Sequence, residues 1–174
     1  MAFWFWFLGE AMLNNDNFKH SNMHFTYHLN ENRVEGHFSF TQDQSLLYPM
    51  NGADVSILLG GNWRFELMIK GSNGKCLGFQ AFLGELNIEH TCLELPMGGK
   101  GELFFHCEQN LSPFCELNYC PFDKGIYYDI EKRLMCIGDK DAIGDVVEFA
   151  NNIRAVLIKG NLVALYLKLE IKLL

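Results

Sequence analysis

The chain has 174 residues, 49% of them hydrophobic, and 21 acidic against 14 basic side chains give it a formal charge of −7. That much apolar material buries a core without metal or disulfide staples and suits a single domain. The acidic excess argues against unspecific nucleic-acid binding, which needs cations to displace phosphate counterions.

Fifteen Phe, six Tyr and three Trp favour pleated, half-buried surfaces over helices, and sixteen Gly supply turns. Residues 1–8 read MAFWFWFL, with no basic residue before Lys19. A signal peptide needs such a residue ahead of its apolar run, and a bilayer span needs about 20 apolar residues. The expectation here is a strand buried on both faces, followed by an asparagine-rich linker over 14–22. Residues 1–22 are thus an apolar segment and linker, and 23–174 form one β-rich domain.

Met23, Phe25, Tyr27 and Leu29 alternate with polar residues, as do Val34, Gly36, Phe38 and Phe40. Joined through 30–33 they predict a hairpin that pairs Leu29 with Val34, Tyr27 with Gly36 and Phe25 with Phe38. In that register His28 faces Glu35 and Thr26 faces His37. Val55 to Leu59 is a short apolar strand, and 63–70 returns through a turn at 71–74 as 75–83, a second hairpin. Residues 86–95 alternate as a strand, 96–101 is a glycine-rich loop, 102–107 is a strand, and 110–125, with Pro113 and Pro121, is an irregular crossing. A third hairpin joins 126–129 to 134–137. Residues 145–152 read as strand in preference to a short capped helix.

The last stretch, 162–174, alternates strictly. Val163, Leu165, Leu167, Leu169, Ile171 and Leu173 fall on one side, with Tyr166, Lys168, Glu170 and Lys172 on the other, which predicts a strand with one buried face. Residues 67–71 and 76–79 echo 156–160 and 162–165, a likeness that any two hairpins can share; a true duplication would predict two similar half-sheets packed together. The fold class is therefore all-β and mainly antiparallel, a β-sandwich or partly closed barrel of consecutive hairpins with at most one short helix.

No catalytic, metal or cofactor site is expected. His20, His24 and His28 are four apart, but on a strand that separates neighbours by roughly 13 Å, too far to share a zinc ion held at about 2 Å. The six cysteines lack close Cys-x-x-Cys pairs, and Cys76, Cys92, Cys107 and Cys136 sit in apolar runs where thiols serve as core. The glycines around Lys100 lack phosphate-loop spacing. Asp139, Asp141 and Asp145 lack the ligand order of a calcium loop.

What remains is charge. Residues 85–148 hold thirteen acids against five bases, so the acidity is concentrated there. Such a field accelerates approach of a basic partner. The expected function is a non-enzymatic, cytoplasmic protein-binding module, an acidic immunity or antitoxin-type protein that neutralises a basic partner such as a nuclease toxin. Its contact residues would be Glu116, Asp123, Asp129, Glu131, Asp139 and Asp141, with Phe114, Tyr119, Phe122 and Tyr127 as aromatic anchors. The rival readings are a β-barrel or sandwich holding a small apolar or carbohydrate ligand, and a subunit that oligomerises through its terminal strands.

Overall fold

Period-two alternation becomes strand wherever residues of that pattern find a neighbouring backbone. In a computed structural model describing residues 23–41, 45–48, 51–60, 64–84, 86–108, 110–119, 122 and 125–170, the regular structure is all β, without helices. The apolar segment 1–8, the linker 14–22, His20, Cys120, Asp123 and residues 171–174 lie outside the described residues.

The strands are β1 His24–Leu29, β2 Ser39–Phe40, β3 Ser45–Leu47, β4 Val55–Leu59, β5 Phe65–Lys70, β6 Lys75–Phe82 and β7 Glu89–His90. They continue as β8 Gly99–His106, β9 Glu116–Tyr119, β10 Ile126–Asp129, β11 Leu134–Gly138, β12 Asp145–Ala150, β13 Ile153–Ile158 and β14 Asn161–Lys168. One curled, open sheet runs β7-β10-β11-β14-β13-β12-β8-β6-β5-β4-β9, with β1 on β8, β3 on β6 and β2 on β3. Most neighbours are antiparallel, but β7–β10, β8–β12 and β4–β9 are parallel, so the sheet is mixed.

The echoing hairpins belong to two units of one plan. Strands β2 to β6 are ordered β2-β3-β6-β5-β4, and β10 to β14 are ordered β10-β11-β14-β13-β12, every neighbour within each unit antiparallel. The bulges coincide as well. Ile69 faces Cys76 and Met68 faces Gly78, skipping Leu77; Leu157 faces Leu162 and Val156 faces Ala164, skipping Val163. Equivalent inward positions are buried in both units: Phe65 and Ile153, Leu67 and Ala155, Phe79 and Leu165, Ala81 and Leu167. All eight belong to one apolar cluster, so the two inner faces share a core.

Strands β1 and β8 lead into the units and pair antiparallel with each other. Each unit's approach segment also lies parallel to the other unit's third strand, β9 along β4 and Val34 beside Ala150 of β12. The two contacts correspond, although they differ in extent: β9 covers the edge of β4, whereas β12 takes β8 of its own half and meets Val34 in a single bridge.

Five expectations are corrected. Residues 23–29 do not form a hairpin with 34–40, because β1 takes β8, setting Phe25 opposite Phe105, Thr26 opposite Phe104 and His28 opposite Glu102. Alternation decides which face a strand buries and says nothing about its partner; here the Phe25 ring meets Phe105 and Tyr119 edge-on, at 5.2 Å each. Within 86–95 only Glu89–His90 is strand, and the rest is irregular. The crossing 110–125 contains β9, and β8 starts inside the glycine-rich loop, at Gly99. Finally, β14 is buried on both faces, not one: Leu162, Leu165 and Leu167 enter the shared core, while Ala164 and Tyr166 enter a second cluster. The bulge at Val163 shifts the phase, placing Val163 against that second cluster, opposite to the side its alternation implies.

The β5–β6 and β10–β11 hairpins and the strands β4, β12 and β14 stand where the alternation puts them. Cys76 and Cys136 are core residues and Cys107 is half-buried, but Cys92 is exposed, its run having turned onto the surface.

Candidate acidic docking surface

The loop from β11 to β12 is set from beneath by β14. The buried Tyr166 hydroxyl donates to the Lys140 carbonyl oxygen at 2.7 Å, and Asp139 N–H donates to Val163 O at 3.0 Å. Asp139 then closes the loop on itself: Asp141 N–H donates to its Oδ1 at 3.0 Å and Ala142 N–H to its carbonyl at 3.2 Å. Burial pushes the Tyr166 phenol well above its ordinary value and the Cys136 thiol beneath it up to about 12, so both stay protonated.

This base carries Asp139, Asp141 and Asp145, all exposed, and between them in the chain Ile143, which is 93% exposed. The Lys140 ammonium bonds Asp141 at 2.7 Å and lies 5.5 Å from the Tyr127 ring centre; Asp141, with lesser contributions from Tyr127 and Glu89, holds it above the usual lysine value. Among the described residues one cation thus sits with the acids Glu89, Asp139 and Asp141.

Apolar side chains extend this surface. Gly144 abuts Ile158, which is partly exposed, and Gly98 backs directly onto Val146, which brings the neighbouring Met97, 89% exposed, to the start of β12. Leu29, 61% exposed, lies over Gly99. Singly exposed apolar residues are ordinary, but four along one end of β8, β12 and β13 are a patch.

The residues expected from sequence divide as follows. Tyr127, Asp139 and Asp141 come together here, joined by Glu89, Ile143 and Met97, which sequence reasoning did not single out. Glu131 is exposed at the β10–β11 turn, at the other end of β11. Phe114, 92% exposed and in the left-handed region at φ 65°, stands with Glu116 beside β4, at the far edge of the sheet.

Three residues are not surface groups. Tyr119, at the end of β9, is wholly buried and Phe122, beyond that strand, nearly so, both in the shared core. Asp129 is 5% exposed; its carboxylate accepts Leu93 N–H at 3.0 Å and Lys132 N–H at 2.9 Å, bonds that hold its pKa below the usual range.

A second cluster joins the histidines. His24 stacks on His106 at 4.9 Å, Thr26 Oγ1 bonds His106 Nε2 at 2.7 Å, and Glu102, opposite His28, bonds Lys75 at 2.6 Å and Asn30 at 2.9 Å. Among the described residues no three His, Cys, Asp or Glu side chains converge as metal ligands, and no helix is long and apolar enough to cross a membrane. Neither protein-family models nor curated proteins give a match to the chain.

Proposed function

We propose that the chain is a non-enzymatic protein-binding module that docks a basic protein on the β11–β12 loop, as an acidic immunity or antitoxin-type protein neutralises a basic toxin domain. The observation that carries this reading is Ile143, fully exposed on a loop tied down by Tyr166, with the exposed acids Asp139, Asp141 and Asp145 within four residues of it in the chain. A rigid apolar anchor inside a charged rim is the anatomy of an interface hot spot, and preorganisation removes the ordering cost that weakens loop-mediated binding. In this reading the protein works in the cytoplasm with reduced thiols. Its two units form a sandwich or partly closed barrel, a scaffold that holds the loop still.

Affinity capture from the native host, with the whole chain as bait, tests it. The proposal predicts a basic protein whose retention falls steeply with salt, and an Asp139→Lys/Asp141→Lys variant that weakens retention at least about tenfold with its thermal melt unchanged. Retention of the same partner by that variant and by Ile143→Asp would overturn it.

A further inference from the structure

The two units differ in what lies on their outer faces. On the second, the segment after β7 crosses β11, β14 and β13: Leu93 and Leu95 pack on Leu134, Cys136, Val156 and Tyr166. Polar bonds pin it along its length. Leu93 N–H reaches Asp129, Lys132 Nζ reaches Glu94 at 2.6 Å, and Arg154 Nη1 reaches the Pro96 carbonyl at 2.6 Å. The chain is its own ligand there.

Carried through the shared pairing pattern, Cys136, Val156 and Val163 correspond to Leu47, Met68 and Leu77 of the first unit. These three, and Leu58 beside them, are half-buried and, among the described residues, belong to neither apolar cluster. Where Arg154 stands in the second unit, the first has Glu66, which accepts the Ser56 hydroxyl at 3.0 Å; Glu116 of β9, opposite Ser56, adds a second acid to this face. The strand equivalent to β10, whose outer edge takes β7, is β2.

We propose that the outer face of the first unit is a second binding site, for an extended peptide of a partner protein carried as the second unit carries residues 91–97. The peptide adds its leading residues along β2 and crosses toward β4, an edge-addition mode that unpaired strands support. Its chemistry follows from the face: apolar side chains at alternate positions, as at Leu93 and Leu95, and a basic residue where the strap presents the Pro96 carbonyl, since Glu66 replaces a donor with an acceptor. The site is separate from the acidic loop of the second unit and does not depend on it.

The probe is a synthetic peptide of residues 89–97 carrying Cys92→Ser and Pro96→Lys, titrated into the whole chain and followed by NMR. Saturable shifts at Leu47, Leu58, Met68 and Leu77 are expected, with binding at least about tenfold weaker to Glu66→Lys and restored by a peptide bearing Pro96→Glu. Three results overturn the proposal: shifts that do not saturate or that ignore Glu66→Lys, shifts at these residues that grow with chain concentration alone, which assign the face to a second copy, and shifts there on Trp4→Ser/Trp6→Ser without peptide, which assign it to the chain's own residues 1–22.

Discussion

Replacing Tyr119 with Phe removes the hydroxyl that ties β9 to the start of β14, where it also lies 3.5 Å from Asn161 Oδ1. The Tyr119 ring is fully buried against Phe25, and its hydroxyl, whose pKa burial pushes up to about 12, accepts Leu162 N–H at 3.0 Å where β14 enters its bulge. Tyr119→Phe keeps the ring and its packing but strands a buried amide donor. Leaving such a donor without an acceptor costs about 1–3 kcal/mol, more than the net worth of an ordinary hydrogen bond. In a chain of this length each kcal/mol lowers Tm by about 2–4 °C. Urea unfolding gives the free energy, and amide exchange at Leu162 gives its location, with faster exchange there than along the rest of β14. A loss below about 0.5 kcal/mol with Leu162 exchange unchanged would refute the reasoning, because the amide would then have another acceptor.

Other perturbations probe other joints. Glu148 holds both Arg33 and Arg154 at a site where its side chain keeps 12% exposure, so Glu148→Ala, which strips Arg154 of its carboxylate and leaves Arg33 with Glu35 alone, lowers stability by about 2–3 kcal/mol in urea titration, short of the fully buried case. Gly74 has φ +71° and a Cβ there would sit 2.1 Å from the Phe105 carbonyl oxygen, so Gly74→Ala costs at least about 2 kcal/mol and loosens β8 in amide exchange. His106 has its pKa lowered, by burial first and by His24 second. The unfolded chain therefore binds the proton more readily, so stability falls as pH drops through about 6.5 and levels off below the depressed folded value. His106→Gln flattens that slope in urea titrations repeated from neutral to mildly acid pH. Asp129 titrates in the opposite range: with its folded pKa held down by two backbone N–H groups, its contribution is complete above the usual carboxylate value and is lost on further acidification. Asp129→Asn removes that acid-limb loss.

Much of the fold was legible in the alternation, and the limits of that legibility are physical. Val55 to Leu59 and the 65–82 hairpin could be read because each strand's partner is its chain neighbour and the turn at 71–74 is short. The β1–β8 pairing could not, since Phe25 and Phe105 lie far apart in sequence and period two carries no address. The one-sided reading of 162–174 failed twice: the bulge puts Val163 on the other side, and that other side is itself covered, so Tyr166, polar-sided by alternation, is buried and becomes the post that sets the acidic loop. The same bulge beside Leu77 was the signal that the echo between 67–79 and 156–165 is architectural. Of the site, Asp139, Asp141 and Tyr127 were accessible through charge and aromatic character. Tyr119, Phe122 and Asp129 were misplaced because composition does not distinguish an aromatic anchor from core, nor a free carboxylate from one bonded to two amides.

The account stands on two units of one design, of which, among the described residues, the second alone has its outer face covered by a strap of the chain. Hydroxyl-radical footprinting of the native chain tests this directly: Met68, Leu58 and Leu77 on the first unit should be modified, while Tyr166 and Cys136 at the corresponding level of the second stay protected. Equal protection of the two outer faces, or labelling of Tyr166 ahead of Met68, would contradict it.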